Sequence, residues 1–424
     1  MTALLTDSIR TGVLAGCVVL LPALTGAQTV DDLFNSATLH RVDLLVNSRD
    51  WEKLKANFQE NEYYPADIRW NGLTARNVGI RSRGGGSRSG TKPGLRVDFD
   101  RYATDQTFVG LKSFILDNLT QDPTGLRERV AMRFFERLGL PAPREAHVQL
   151  YVNADFAGLY AVVESIDKDF LRRVFGGNSG NVENDGYLFE YEYTSAWYFT
   201  YPGNELDPYA TLFDPVTHEN GSIAELYAPL ESMLRAINEA SDDRFVSTVS
   251  PYLDLPLFMK HVAVQNFLAQ WDGILGYAGV NNFYFYRFED SLRSQFIAWD
   301  EDNAFHALDY PILEGHDQNV LMRLAMRVPE LRAAYFEALL AAAESAAEPV
   351  APSGLGWLDL EIQQHGGLIA ETMLADPVKP FTNEEFESGM NELRTFARSR
   401  ASFVKCEVAK LVDPATMAAA CGNP

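Results

Sequence analysis

The sequence is poor in positive charge and lacks the motifs of several common enzyme classes. Lysine and arginine total 36 against 58 aspartates and glutamates, which gives a formal net charge of −22. Nucleic-acid backbones and anionic membranes repel such a surface, so neither is expected as a partner. The seven histidines are scattered without an HExxH pattern, and no GxSxG occurs. These absences argue against a zinc site and against a serine-hydrolase nucleophile elbow.

The N-terminal hydrophobic run is short. It covers residues 13–24, which is 12 residues against the roughly 20 needed to span a membrane. Arg10 precedes this run and Thr25-Gly26-Ala27 follows it, a pattern that predicts a signal peptide over residues 1–27. A lipoprotein signal ending at Cys17 is the alternative. We therefore expect an exported protein without a transmembrane anchor, located in the periplasm, at the cell surface or outside the cell.

Only three cysteines are present, and removal of the signal peptide would leave Cys406 and Cys421. An even number of cysteines in an oxidising compartment favours a disulfide. We expect these two to pair and to hold the C-terminal tail. Two buried thiols are the alternative.

The composition describes a folded globule of more than one lobe. Hydrophobic residues make up 46% of the 424 residues, and single cores usually stop growing at about 250–300 residues. The pattern predicts an α+β protein with a β-rich lobe at residues 38–165, made of hairpins and one helix. A mainly helical lobe with a C-terminal tail follows at residues 166–424. Alternating hydrophobicity predicts strands within residues 40–46, 77–83, 95–100, 111–118, 147–152 and 158–164. Helical spacing predicts helices over 50–57, 122–138, 165–175, 223–240, 257–270, 318–347 with a break at Pro329, and 383–412.

One stretch, residues 271–302, concentrates oxygen-bearing side chains around two strands. Asp272 ends a helical run, Asn281 and Asn282 precede the aromatic strand FYFYRF, and Asp300 and Asp302 follow an apolar strand. Folding these strands into a hairpin would bring all five residues to one end of a sheet. Carboxylate and carboxamide oxygens are the ligands that magnesium and calcium prefer. The alternative is that the asparagines cap a turn and the last two acids lie in a solvated loop.

A second candidate feature is the hairpin formed by residues 77–83 and 95–100, whose tip reads GGGSRSGTKPG. Backbone N–H groups and the side chains of Ser87, Arg88 and Lys92 could cradle a phosphate there. The tip is not a Walker A loop, because Thr91 precedes the lysine and Pro93 follows it. A solvated hairpin tip is the alternative.

Glu128 lies off the centre of the apolar stripe of the helix predicted over 122–138. It could therefore reach sideways to a cation on the neighbouring sheet. Arg127, Arg129 and Arg133 offer it ordinary surface partners instead.

Taken together, these segments resemble the CotH family of secreted and spore-coat atypical protein kinases. The resemblance covers residues 40–410 in family order. It is carried by GIRSRGGGSRSGTKPGLRVDFD, LRERVAMRFFERLGLPAP, VNADFAGLYAVVESIDKDFL, WDGILGYAGVNNFYFYRF and FIAWDED. The combination of GLYxxxExID, an Asp followed by Asn-Asn, and WDxD is specific to the family, whereas any one alone is not.

The resemblance implies a two-lobed, kinase-like fold that binds ATP together with Mg²⁺ or Mn²⁺. Asp272 would be the catalytic aspartate that accepts the proton of the substrate hydroxyl. The metal would be held by Asp300, Asp302 and one of the two asparagines, Asn281 or Asn282.

The same resemblance implies the nucleotide contacts. The tip at residues 84–90 would cover the phosphates, and either Lys92 or Arg96 would contact them. Glu128 would hold that cation in place, by analogy with the lysine–glutamate pair of protein kinases. Glu164 to Ile166 would form the hinge beside the adenine.

The chain departs from the family pattern at several positions. Pro93 and Gly94 stand where the family commonly has a second lysine and a serine, which leaves open which cation touches the nucleotide. Ala298 stands where a proline is common. The interval from Asp272 to the asparagines is nine or ten residues, against about five in the kinase HRD loop.

The expected function is transfer of the ATP γ-phosphate to Ser or Thr hydroxyls of exported proteins, by a monomer. Basic substrates would suit the acidic surface. Two alternatives remain: a catalytically inactive cell-surface or coat assembly module of the same fold, and a transferase that moves AMP. Intact Asp272, Asp300 and Asp302 favour the enzyme, and the altered Lys-Pro-Gly run favours the module.

Overall fold

The computed structural model describes residues 28–176, 184–412 and 421. The predicted signal peptide, with Cys17, lies outside these residues, as do residues 177–183 of the loop after the helix predicted at 165–175. Strands and helices are mixed along the chain, so the protein is α+β, as predicted.

Seven strands close into a barrel in the first part of the chain. Their order around the barrel is β1-β2-β3-β4-β5-β7-β6, and parallel pairing of β1 with β6 closes it. All six strands predicted here are confirmed, whereas β2 and the closure were not predicted. The bounds are β1 His40–Val46, β2 Tyr64–Trp70, β3 Leu73–Ser82, β4 Leu95–Asp98, β5 Ser113–Asp117, β6 Glu145–Val152 and β7 Asp155–Glu164.

The barrel has its own apolar core. Alternate side chains of its strands point inward, as in β1, where every second residue is buried. Leu44, Ile68, Val97 and Val148 are fully buried there, and each such side chain stabilises the fold by about 1.5–3 kcal/mol. Two short helices, α1 (Val30–Leu33) and α2 (Ser48–Ala56), pack outside it. The barrel is therefore a rigid support for the β3–β4 hairpin and its glycine-rich tip.

A second sheet of four antiparallel strands carries the hairpin predicted within residues 271–302. Its order is β11-β10-β8-β9, with β8 Tyr187–Tyr191, β9 Phe213–Pro215, β10 Phe283–Arg287 and β11 Ser294–Ala298. Every residue of β10 is buried. Phe283 and Phe285 pack into the helical core, whereas Tyr284 packs on the barrel side. The β10–β11 hairpin is thus packed between the barrel and the helices.

The helices form the larger core. They are α3 Arg127–Arg137, α4 Lys168–Phe175, α5 Asp207–Leu212, α6 Ile223–Glu239, α7 Phe245–Val249, α8 Leu255–Phe267, α9 Val320–Ala325, α10 Pro329–Ala347, α11 Trp357–Ala375 and α12 Asn383–Val412. The bounds of α12 and the break before Pro329 are as predicted. α8 ends at Phe267, three residues earlier than the predicted 270, and α11 was not predicted.

The helix predicted to begin at Asp122 begins at Arg127 instead. The Asp122 carboxylate accepts the N–H groups of Thr124, Leu126 and Arg127 at 2.7–2.8 Å, and Gly125 has a left-handed φ of 63°. These contacts form a turn, which places the helix start after it. Glu128 consequently lies in the first turn of this helix.

Arg400 of α12 closes the C-terminal end of α8. Its fully buried guanidinium donates to the carbonyl oxygens of Asn266 and Phe267 at 2.6 and 2.9 Å. It also donates to those of Leu308 and Tyr310 at 2.7 and 2.8 Å. A cation is favourable at a helix C-terminus. Arg400 therefore fixes the chain just before and just after the candidate site.

Replacing Arg400 by methionine is expected to lower the free energy of unfolding by at least ~3 kcal/mol, because four carbonyl groups lose a charged donor. Urea denaturation measures the change. Lys410→Met on the same helix is the control, since its side chain is 47% exposed, and it should cost less than ~0.5 kcal/mol. Equal effects of the two substitutions would contradict the structural role of Arg400.

The C-terminal tail is joined to α12 by a disulfide between Cys406 and Cys421, which confirms the predicted pairing. Across the described residues, no helix combines the length and the apolar character needed to traverse a bilayer.

Candidate active site

The β10–β11 hairpin brings the two ends of the 271–302 stretch together, as predicted. Phe283, the first residue of β10, lies opposite Ala298, the last residue of β11. The Asp272 carboxylate accepts hydrogen bonds from the amides of Asn281 and Asn282, each at 3.3 Å. The asparagines therefore orient a carboxylate and do not only cap a turn.

Asp272 is half-buried and has one carboxylate oxygen available. Both asparagine amides bind the same oxygen, Oδ2, and Asn282 also donates to the Asp272 backbone carbonyl at 3.0 Å. Within the described part of the chain, Oδ1 has no donor. Burial raises the pKa of Asp272, and the two amides offset part of this rise. Such a carboxylate can accept a proton from a ligand.

Asp300 and Asp302 follow β11 at the same end of the sheet and are half-buried, so the solvated-loop alternative is wrong. Burial raises the pKa of Asp300 to about 6, with further repulsion from Asp117 and Asp272, while Arg83 lowers it. Burial and repulsion from Asp300 place the pKa of Asp302 well above its usual value. The acids of the site thus carry more negative charge than the nearby cations neutralise.

Gln270, which belongs to none of the predicted site residues, links the two sides of the site. Its side-chain oxygen accepts the Asp272 N–H at 3.2 Å, and its side-chain nitrogen donates to the Asp300 carbonyl at 3.3 Å. The side chain is buried. One carboxamide therefore fixes the position of Asp272 relative to Asp300.

Glu301 is fully buried between the two metal-ligand candidates. Its Oε1 accepts the Gln265 amide at 2.7 Å, and Gln265 accepts the Ile274 N–H at 3.1 Å. Burial raises the pKa of Glu301 to about 8, so the group is mostly neutral at pH 7. This neutral acid supports the segment after Asp272 without adding charge to the site.

Replacing Glu301 by glutamine is expected to stabilise the protein above pH 8 and to change its stability little at pH 4. A carboxyl whose pKa rises on folding binds its proton more tightly in the folded state. Stability is therefore lost as the pH rises from the unfolded value toward about 8. The amide avoids this loss, which should be on the order of 5 kcal/mol at pH 9. Urea denaturation in EDTA at pH 4, 7 and 9 measures it, with the exposed Glu337→Gln as the control. An unchanged pH dependence would contradict the account.

Further acids converge on the site from the barrel side. Asp117 ends β5, Glu128 lies in the first turn of α3, and Glu145 begins β6. Burial raises the pKa of Glu128 well above its usual value, and repulsion from Glu145 and Asp300 adds to the rise. Asp117 ends an apolar strand and Asp300 closely follows one, so the same sequence criterion could have found Asp117. A small cavity here is lined by Asp117, Leu119, Asp122, Gly125, Glu128, Arg129, Glu145 and Asp302.

Lys92 does not pair with Glu128, so that part of the prediction is wrong. The Lys92 ammonium binds the Asp376 carboxylate at 2.8 Å, with the two side chains 2% and 0% exposed. Asp376 follows α11 and also accepts the Leu159 N–H at 2.9 Å. The end of α11 packs on the barrel and supplies a nearer carboxylate than Glu128.

Glu128 has no basic partner among the described residues. The three arginines considered as its surface partners bind elsewhere: Arg127 to Asp122, Arg129 to Glu361 and Arg133 to Glu136. Glu128 therefore faces the acidic site and not a cation.

The hairpin tip is tied to the barrel. Asn118 donates to the Ser87 carbonyl at 2.9 Å, and Arg88 donates to the Gly84 carbonyl and to Asn61 at 2.7 and 2.6 Å. Arg96 approaches Ser113 at 3.5 Å. Nucleotide contacts by Ser87, Arg88, Lys92 and Arg96 stay predictions.

The predicted hinge lies at the end of β7. The Glu164 carboxylate binds Arg144 at 2.8 Å and Arg173 at 2.6 Å, and the Glu164 N–H donates to the Arg144 carbonyl at 2.9 Å, so this residue serves as an anchor. Ile166 is buried in the apolar cluster between the barrel and the second sheet, together with Val163 and Ile297. A role of residues 164–166 beside the adenine stays a prediction.

The donor set fits a hard divalent cation of the Mg²⁺ or Mn²⁺ type. Asp300 and Asp302 offer carboxylates, and the amide nitrogens of Asn281 and Asn282 turn to Asp272, which leaves their oxygens for a ligand. A bound cation would offset the repulsion that raises the pKa of both acids. Among the described residues, no three His, Cys, Asp or Glu side chains form a preformed metal cluster. Carboxamide or water oxygens would therefore complete the coordination.

Comparison with known proteins finds relatives along most of the chain. The sequence model of a family described as CotH kinase protein matches residues 80–404. Inner spore coat protein H of Bacillus subtilis (strain 168) is 22% identical over 379 residues, which cover 88% of this chain and 98% of that protein. Invasin CotH2 of Rhizopus delemar is 28% identical over 204 residues, 47% of this chain and 33% of the invasin. Invasin CotH3 of the same organism is 26% identical over 195 residues, 45% of this chain and 31% of the invasin. All the residues of the candidate site lie within the matched range.

Proposed function

Because the chain belongs to the CotH kinase protein family, we propose that it is an ATP- and metal-dependent kinase. It transfers the ATP γ-phosphate to Ser or Thr hydroxyls of exported proteins. The observation that carries this proposal is the meeting of Asp272, the asparagine pair and the Asp300–Asp302 pair at one end of the β10–β11 hairpin. Phosphoryl transfer needs positioned carboxylates and cations and little covalent chemistry.

In this proposal Asp272 accepts the proton of the attacking hydroxyl. Its Oδ2 is held by Asn281 and Asn282, so Oδ1 is turned to the reacting group. Gln270 fixes the position of Asp272 relative to the segment after β11, because its side chain binds the backbone of both. Proton acceptance by such a positioned group typically contributes about 10²–10⁴ in rate.

Asp300 and Asp302, with one of the two asparagine oxygens, hold the metal ion. When bound, the ion neutralises phosphate charge. The barrel and the helical core would correspond to the two lobes of a kinase-like fold, with the nucleotide between them. The glycine-rich tip of the β3–β4 hairpin belongs to the barrel side, and Asp272 belongs to the helical side.

An inactive assembly module of the same fold is the second candidate. Two observations favour it: Lys92 is occupied by Asp376, and one relative carries the name of a spore coat protein. AMP transfer is the third candidate, since the same acids could act on a nucleotide bound in reverse.

Labelled ATP separates the three candidates. Purified residues 28–424 are incubated with Mg²⁺ or Mn²⁺ and with ATP labelled at either the γ- or the α-phosphate. A Ser/Thr-containing basic peptide and a mixture of exported proteins serve as acceptors. We expect metal-dependent transfer of the γ label and a product mass that grows by one phosphate. Transfer of the α label would indicate AMP transfer, and bound ATP without any transfer would indicate the module.

A further inference from the structure

Most cations of the β3–β4 hairpin are turned away from the acids at the end of β11. Lys92 is buried against Asp376. Arg88 binds the backbone of the preceding segment and Asn61. Arg81 also binds Asn61, and Arg96 approaches Ser113. These side chains therefore have partners on the barrel side of the hairpin.

Arg83 is placed differently. Its guanidinium lies 4.8 Å from the ring centroid of Trp299, the residue directly before Asp300. The guanidinium also lies 3.6 Å from Glu190 of β8, so it packs against the second sheet. This arginine is thus the hairpin cation that faces the end of the β10–β11 hairpin.

The backbone of Arg83 is fixed at the base of the glycine-rich tip. Its N–H donates to the Gly94 carbonyl at 2.9 Å, directly after β3 ends at Ser82. Gly84 follows with a left-handed φ of 117°, and any side chain at this position would overlap Ser87. The chain therefore changes direction immediately after Arg83, which leaves this arginine at the base of the tip.

The guanidinium keeps unused donors. Its side chain is 20% exposed, and its ion pair with Glu190 is long at 3.6 Å. Within the part of the chain that the structure describes, the guanidinium makes no hydrogen bond. A guanidinium carries five N–H donors in a planar fork that matches phosphate oxygens. Trp299 and Glu190 hold the group in place from one face and one edge.

We propose that Arg83, and not Lys92 or Arg96, binds the phosphate groups of the nucleotide beside the metal site. The proposal rests on the proposed kinase function and adds to it the residue that binds the phosphate groups. Trp299 and Glu190 are positioning residues for this arginine, because they contact its guanidinium and not the nucleotide.

Nucleotide binding tests the proposal without any measurement of transfer. Calorimetry gives the affinities for ATP with Mg²⁺ and for adenosine, in the wild type, Arg83→Gln, Arg83→Lys and Arg76→Gln. We expect Arg83→Gln to weaken ATP binding by about 10- to 100-fold, since charged hydrogen bonds are lost. Adenosine binding should change less than about threefold, because adenosine carries no phosphate. Arg83→Lys should be intermediate, because an ammonium lacks the fork. The control Arg76→Gln, at an exposed position of β3 in the same hairpin, should bind both ligands as the wild type does.

Three outcomes would overturn the proposal, and they differ from one another. A wild type that binds no ATP removes the kinase function together with this inference. ATP binding that survives in Arg83→Gln removes the role of Arg83 and leaves the kinase function intact. Equal loss of ATP and adenosine affinity in both Arg83 variants, with a lower melting temperature, makes the arginine a structural tie between the barrel and the second sheet.

Discussion

Replacing Asp272 by asparagine is expected to lower the rate of phosphoryl transfer by about 10²–10⁴, because the amide cannot accept the hydroxyl proton. Affinity for ATP should stay within about threefold of the wild-type value, since Asp272 contacts the acceptor and not the nucleotide. Single-turnover transfer of the γ label measures the rate, and calorimetry measures the affinity.

Asp317→Asn is the matched control for this experiment. Asp317 is exposed and lies shortly after the site in the chain, so its substitution should leave the rate unchanged. Transfer by Asp272→Asn at more than half the wild-type rate would contradict the assignment of Asp272 as the proton acceptor.

Replacing Lys92 by methionine is expected to lower the free energy of unfolding by about 3–5 kcal/mol, because Asp376 would be left buried without its cation. The double variant Lys92→Met with Asp376→Asn should recover at least half of this loss. Its amide oxygen can still accept the N–H groups of Val378 and Lys379; only the Leu159 N–H loses its acceptor, and no buried charge remains. Urea denaturation of the wild type and the two variants gives the values.

Lys112→Met is the control for the buried pair. The Lys112 side chain is 61% exposed and lies 3.4 Å from Asp100, so its substitution should cost less than ~1 kcal/mol. A Lys92→Met protein as stable as the control would show that Asp376 does not depend on the lysine. The lysine would then be available for the phosphates, as the family resemblance implies.

The site hairpin could be predicted from the sequence because its signals are local. Asn281, Asn282, Asp300 and Asp302 flank two strands that are adjacent in the chain, and the pairing of adjacent strands sets which ends meet. The bounds of α12 were predictable for a similar reason, since its apolar residues recur at helical spacing over the whole helix.

The partner of Lys92 could not be predicted in this way. Asp376 lies 284 residues further along the chain, and it reaches the lysine only because α11 packs against the barrel. α11 itself is interrupted by Gly366 and Gly367 in sequence, which lowers its helix propensity. α11 forms nevertheless, because it packs against α12, α3 and β7. Tertiary packing therefore determines both the partner of Lys92 and the formation of α11.

Arg83 and Gln270 were missed for a different reason. Both are ordinary residues at the edge of a motif, and their roles depend on which neighbour each side chain faces. Arg83 directly precedes the glycine-rich tip, and its position between Trp299 and Glu190 becomes visible only when the second sheet packs on the barrel. The start of α3 was misplaced because Asp122 and Pro123 match a helix start, whereas Asp122 caps a turn.

Binding of Mn²⁺ in the presence of ATP tests most directly whether the acids at the end of the β10–β11 hairpin form the metal site. Electron paramagnetic resonance can count bound Mn²⁺ in the wild type, in Asp300→Asn and in Asp317→Asn. We expect the wild type and Asp317→Asn to hold the ion tightly and Asp300→Asn to lose at least about tenfold in affinity, since one carboxylate ligand is removed. Equal affinity for Mn²⁺ in all three proteins would contradict the account.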